Sequence, residues 1–214
     1  MLRAIIFDMD GVILDSERLW NQMAHAHLRS KGKEFDSARS KHHLSGRSML
    51  EASRILKEHY GLEESPEEIT RERIALVKEL YREHLAFIKG FPAFLERAHA
   101  RGLLAAVATG SNYELLAAVQ ERLPIDDLFP GRIYSSDDVG GKGKPDPALF
   151  LYAARQLNVP PAECLVIEDA PNGIEAARRA GMRVVGIATS FPHELLKDAT
   201  IVVDSFAEID LDAF

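Results

Sequence analysis

Short, almost uninterrupted apolar runs recur along the chain and alternate with stretches of helical periodicity. The runs are AIIF (4–7), LLAAVAT (103–109), RIYSS (132–136), CLVIE (164–168), RVVGIA (183–188) and TIVV (200–203). Each is too short for a helix and too continuously apolar for a strand with one wet face, which predicts parallel strands covered on both sides. Between them, FPAFLERAHARG (91–102) runs to Gly102 and NYELLAAVQERL (112–123) stops before Pro124. PALFLYAARQLN (147–158) stops ahead of Pro160 and Pro161, and NGIEAARRAG (172–181) ends on Gly181, all helix-stop signals. Strand alternating with helix implies right-handed crossovers and predicts an α/β fold built on a doubly wound parallel sheet.

Residues 15–87 break that rhythm. They hold no convincing strand, but SERLWNQMAHAHLRSKG, SMLEASRILKEHYG and PEEITRERIALVKELYREHLAF have helix-favouring composition. An all-α insert over 15–87 is therefore expected to interrupt, just after the first strand, a core made of 1–14 and 88–214. In the connection GLEESPEE (61–68), Ser65 and Pro66 are placed to open the next helix. Ser16, in DSE (15–17), is placed to cap the first insert helix, where the chain leaves the sheet.

Composition acts mainly by exclusion. The 214 residues suffice for one large domain plus a small insert. Hydrophobic residues at 46% and charged ones at 28% are the balance of a globular protein. With 26 Lys and Arg against 33 Asp and Glu, the formal charge of −7 argues against a nucleic-acid partner. It does not exclude a small anion, because a metal or a local cluster overrides net charge. The single cysteine, Cys164, rules out an intrachain disulfide and a cysteine-rich zinc site, and in ECLVIED it is expected to pack in a strand. The opening MLRAIIFD is too short in apolar residues for a signal peptide, and no stretch approaches the roughly 20 apolar residues of a membrane span. A cytoplasmic monomer with no membrane partner is expected. The histidines of MAHAHL and KHHLS, His42 and His43 among them, are expected to be exposed rather than metal-binding, and Trp20 to pack rather than stack on a ligand.

Three runs end in polar residues: AIIFDMD, AVATGS and LVIED. In an open parallel sheet the carboxyl ends share one edge, and ligands bind in the crevice there. Asp8, Asp10, Thr109, Ser111, Glu168 and Asp169 should then converge, and the loop GGKGKPDP adds Lys144. Four carboxylates against one lysine leave about −3 in a partly desolvated cleft, which calls for a cation. Mg²⁺ binds through carboxylates, waters and phosphate oxygens, so with Lys144 and the Thr109 hydroxyl the crevice suits a phosphoryl group. Backbone N–H groups at Gly110 and Ser111 are expected to add donors. A carboxylate can attack phosphorus: Asp8 is the expected nucleophile and metal ligand, and Asp10 the group that protonates the leaving oxygen and then deprotonates water.

Other motif readings fail. A calcium loop starting at Asp8 would put Ile13 at its glycine and Leu19 at its terminal glutamate. GGKGKP is not a P-loop, since Pro145 stands where Ser or Thr is required, nor a dinucleotide fingerprint, since Asp146 replaces the third glycine.

DMDGV, VATGS, GKPDP and VIEDAPNGIEAARRAGM, in this order, strongly resemble the four motifs of the haloacid dehalogenase superfamily, in its phosphatase and phosphomutase branch with a helical cap. The resemblance covers essentially the whole chain, including the position of the cap. It implies nucleophile Asp8, acid/base Asp10, phosphate-binding Thr109, Lys144, and metal ligands Asp8, Asp10, Glu168 and Asp169. The second aspartate separates the chain from the dehalogenases, and Trp20 stands where the similar β-phosphoglucomutases usually carry histidine. HHLSGRSMLEA (42–52) looks like the family's substrate-facing cap loop, with Arg47 and Asn112 as candidate substrate contacts. The reading is a Mg²⁺-dependent phosphatase of a small phosphorylated metabolite, ahead of a sugar-phosphate mutase. A receiver-type phospho-acceptor is a distant third, disfavoured by the length and the insert.

Overall fold

The computed structural model describes residues 1–214 except the side chains at 38, 39 and 42, so the reading of His42 lies outside the described residues. Strand β1 (Ala4–Phe7) is buried at all four positions, as a run with no polar residue requires. Four helices follow: α1 (Glu17–Ser30), α2 (Ser37–Leu44), α3 (Met49–Tyr60) and α4 (Pro66–His84). The alternating half then runs α5 (Phe91–Ala100), β2 (Leu104–Thr109), α6 (Tyr113–Arg122), a short α7 (Ile125–Leu128) and β3 (Ile133–Ser135). It continues with α8 (Ala148–Gln156), β4 (Cys164–Glu168), α9 (Pro171–Arg179), β5 (Arg183–Ile187), the short α10 (His193–Leu196) and β6 (Ile201–Val203).

The strands form one sheet in the order β3-β2-β1-β4-β5-β6, and every pairing is parallel. Phe7 lies level with Val107 on one side and Ile167 on the other, so the strands on either side of β1 end close to the same height. Successive β1 residues face opposite layers. Ile5 and Phe7 join the cluster that includes Phe91, Phe94 and Phe129, while Ala4 and Ile6 join the one formed with α8 and α9. Both faces are covered, which is why the sheet runs lack alternation. Cys164 packs in the second layer, and burial pushes its thiol up to about 11.

The four intervening helices have two anchorages. Leu19, Met23, Val77, Tyr81 and Leu85 belong to the main core, whereas Ala24, Leu28, Phe35, Leu56, Leu62 and Ile69 form a separate small core. The chain leaves and re-enters the sheet side by side, with Asp15 N–H donating to Ala86 C=O (2.9 Å) and Ile88 N–H to Ile13 C=O (2.8 Å). Ser65 opens α4 as expected, in a capping box with Glu68 and with Pro66 in the first turn.

Two expectations are corrected. Helix α2 was not among the expected insert helices, and its last turn and the start of α3 fall within 42–52, which was read as a loop; SARSKHHL has too little apolar periodicity to announce itself. His27, expected to be exposed, is buried because it falls on the inward face of α1 with Leu19, Met23 and Ala24, and its Nε2 meets Glu72 (3.1 Å).

Candidate active site

Because β1 ends at Phe7, Asp8 is the first residue past the sheet, and its N–H continues the ladder by donating to Ile167 C=O (3.0 Å). Glu168 ends β4 beside it. One Glu168 oxygen, Oε2, folds back to accept from the N–H groups of Asp169 (2.9 Å) and Ala170 (3.1 Å). Gly173, in the first turn of α9, makes room for that carboxylate, since a Cβ there would overlap it. Gly11 has φ +80 and lies flat against Asp169, so the turn after Asp10 has both a conformational and a steric need for glycine.

Lys144 closes the group from the loop before α8. It is 1% exposed, and its Nζ donates to Asp8 Oδ1 and to Glu168 Oε1 (2.5 Å). Burial alone would lower the Lys144 pKa, but the charges of Asp8 and Glu168 outweigh it and hold the ammonium above its usual value. One ligand oxygen each from Asp8, Glu168 and Asp169 lies within 4.8 Å of the others. Burial pushes Asp8 up to about 7 despite Lys144, and burial with the neighbouring Glu168 charge raises Asp169 well above the carboxylate range. The cluster is short of positive charge. An all-oxygen donor set with that deficit fits a hard divalent cation such as Mg²⁺.

Asp10 is handled differently. Its Oδ1 accepts from Ser16 Oγ (2.8 Å), Trp20 Nε1 (2.9 Å) and Tyr81 Oη (2.7 Å), and its Oδ2 from Ser111 Oγ (3.2 Å). Burial, and then the Asp10 charge, raises the Tyr81 pKa well above normal, so the phenol stays a donor. Trp20 also meets Tyr81 edge to face, with ring centroids 6.2 Å apart. The Asp10 carboxylate therefore stands outside the acidic cluster it was expected to join, held by donors from α1, α4 and the β2–α6 turn.

The other expected residues separate into those that line the cavity and those that do not. Thr109 is buried at the end of β2, and its Oγ1 accepts from Ser111 N–H (3.0 Å), which is thereby already engaged rather than free for an anion. Asn112 caps α6 through Leu115 N–H (3.1 Å) and lies off the cavity over Asp8. Ser16 occupies the N-cap position of α1 but makes no side-chain cap bond; Asp10 takes its hydroxyl instead. Arg47 lines the cavity, and its Nε donates to His43 C=O (3.0 Å).

The α2–α3 connection sits directly on the core. Lys144 N–H donates to Gly46 C=O (3.0 Å), Asn172 Nδ2 to Ser45 C=O (2.9 Å) and Gly143 N–H to Glu51 Oε2 (3.1 Å). A Cβ on Gly110 would stand 2.7 Å from Arg47 C=O, so this glycine permits the close approach. Beneath that connection a cavity of about 130 Å³ reaches from Asp8, Glu168 and Asp169 to Trp20, Phe35 and Arg73 on the helices. Neither Tyr81 nor Arg73 stood out in the sequence. Their signal was a polar interruption of the α4 stripe Ile69, Arg73, Val77, Tyr81, one residue every fourth position.

Known proteins resemble the chain along most of its length. The model of the haloacid dehalogenase-like hydrolase family matches residues 2–181. A Drosophila melanogaster protein described as "Probable pseudouridine-5'-phosphatase" is 35% identical over 215 residues, covering 98% of this chain and 92% of its own. A phosphorylated carbohydrates phosphatase of Thermotoga maritima is 30% identical over 190 residues, 88% of this chain and 87% of its own. The crystal structure of β-phosphoglucomutase from Clostridium difficile superposes with a TM-score of 0.84 at 27% identity, covering 100% of this chain and 95% of that one. The chain, with a parallel sheet whose strand ends gather its acidic residues and a lysine, belongs to the haloacid dehalogenase-like hydrolases.

Proposed function

We propose that the protein is a Mg²⁺-dependent phosphatase of a small phosphorylated metabolite, of the sugar-phosphate, nucleoside-phosphate or phosphoglycolate type, working through an aspartyl phosphate. One observation carries the reading: two aspartates two residues apart have opposite surroundings. Asp8 lies in a buried acidic cluster against Lys144, and Asp10 is held apart by four neutral donors. Such a division of environments suits one carboxylate for attack and the other for proton transfer.

Asp8, Glu168 and Asp169 would hold the metal. When bound, Mg²⁺ supplies the positive charge that draws in phosphoryl oxygens and offsets their repulsion of a carboxylate. Lys144 and Thr109 face the same phosphoryl group, Lys144 by charge and Thr109 by its hydroxyl. Asp8 attacks phosphorus, the ester P–O bond breaks, and Asp10 delivers its proton to the departing alkoxide. A water then attacks the aspartyl phosphate and gives a proton to Asp10, so inorganic phosphate leaves and Asp8 is regenerated. Residues 15–87 act as the cap that covers the reacting group, closing over the core through the 45–47 connection.

The names of the relatives support this class, since the Drosophila and Thermotoga proteins are described as phosphatases of phosphorylated small molecules. The likeness to a β-phosphoglucomutase makes a sugar-phosphate mutase the second reading. A panel of phosphate esters assayed with Mg²⁺ and with chelator separates the two. Free phosphate that depends on Mg²⁺ supports the phosphatase. An isomerised ester formed only with a bisphosphorylated activator supports the mutase and sinks the phosphatase.

A further inference from the structure

Arg73 is a buried cation of the cavity that the proposed reaction does not use. It lies on the buried stripe of α4, is 4% exposed, and lines the cavity that also reaches Asp8, Glu168 and Asp169. No carboxylate pairs with it among the described residues; its one hydrogen bond is from Nη1 to the Ser53 hydroxyl (3.2 Å), and Nε has no partner. Burial depresses even this guanidinium, to about 10. The nearby His27 is also incompletely satisfied, with no partner for its buried Nδ1. An unpaired buried charge costs several kcal/mol in real proteins, so a residue with only a packing task would not carry one.

The helix itself supplies a ruler. Tyr81, whose hydroxyl meets Asp10, is eight residues further along the same stripe. At 1.5 Å per residue, Arg73 stands about 12 Å from it along α4. The same cavity is walled in part by Met23, Ala24, Phe35 and Met49. The cavity thus joins the acidic cluster to apolar side chains and to Arg73, whose guanidinium, unlike that of the partly exposed Arg47, is buried without a partner at Nε.

We propose that Arg73 is a substrate-selecting residue that pairs with a second oxyanion, a carboxylate or a second phosphate, at the far end of the phosphorylated substrate. The guanidinium fork matches either group through two parallel N–H bonds, with the unpartnered Nε as one donor. The inference rests on the phosphatase reading only for the position of the first phosphate.

Binding tests it without turnover. Non-hydrolysable phosphonates of graded chain length are prepared with a terminal carboxylate, a terminal phosphonate or a terminal alcohol, and titrated calorimetrically into the Mg²⁺-loaded protein. At the best length, one of the two anionic series should bind at least tenfold tighter than the alcohol, and which one does so identifies the second group. In Arg73→Met the anionic and alcohol ligands should bind with equal affinity. The unliganded Arg73→Met protein should also melt at a higher temperature than the wild type, an outcome that a structural role for the arginine would reverse. Equal binding of all three series by the wild type, or a preference that survives in Arg73→Met, overturns the proposal. Should Arg73→Met fail to fold, Arg73→Lys, which keeps the charge without the fork, should retain less than a third of the preference. The phosphatase reading fails separately, if no ester in the panel releases phosphate.

Discussion

Asp10 illustrates how much of this site depends on individual donors. Three hydrogen bonds converge on Oδ1, from Ser16, Trp20 and Tyr81, and no lysine or arginine pairs with it among the described residues. A hydrogen bond to a charged group is worth about 1.5–3 kcal/mol, so losing one that orients the acid should lower kcat roughly ten- to a hundredfold. Trp20→Phe and Tyr81→Phe keep the rings and remove the donors. Steady-state kinetics should show kcat falling by about that factor in each with KM nearly constant. A raised KM at unchanged kcat would show that Trp20 touches substrate rather than Asp10. Asp8, Thr109, Glu168 and Asp169 were legible because they end or directly follow an apolar run, and Lys144 because its loop is rich in glycine and stopped by proline. Among the Asp10 donors Ser111 was expected at the same sheet edge, but Tyr81 was not, since it is brought to Asp10 across 71 positions by the packing of α4.

At the scale of elements, α4 links the two cores. Ile69 packs in the small cluster and Val77 and Tyr81 in the large one, so one helix carries both Arg73 and a donor to Asp10. Its start is fixed by Ser65, whose hydroxyl accepts from Glu68 N–H (3.2 Å) while Glu68 reaches back to Ser65 N–H (2.8 Å). Ser65→Ala should cost about 1 kcal/mol in chemical denaturation and leave kcat unchanged, because the cap lies away from the cavity. A loss of activity equal to that of Tyr81→Phe would mean that fraying of α4 reaches the site. The helices with strong stop signals, such as α5 before Gly102, were legible to within about two residues at each end. Helix α2 was not, because its place depends on lying against α3 and the core rather than on a stripe of its own.

For the whole molecule, the unbalanced charge beneath the α2–α3 connection makes stability depend on pH. Asp8 and Asp169 both have folded pKa values raised by burial above their ordinary value of 3.8. Their contribution is complete below about pH 4 and is lost as pH rises through about 7 for Asp8. The metal-free protein should therefore melt at a lower temperature at pH 8 than at pH 5.5. Saturating Mg²⁺ should raise Tm more at pH 8, where it meets ionised carboxylates. An equal or smaller Mg²⁺ effect at pH 8 would show that the acidic cluster is not the metal site. The doubly wound sheet was legible in outline because its strands are uninterrupted apolar runs. The cavity was not, since its walls come from helices that meet only after folding. Enzyme mixed with ³²P-labelled ester and Mg²⁺, quenched in acid within one turnover and digested, should yield label on the peptide bearing Asp8, and Asp8→Asn should yield neither label nor phosphate. Label on another residue, or normal phosphate release by Asp8→Asn, would contradict it.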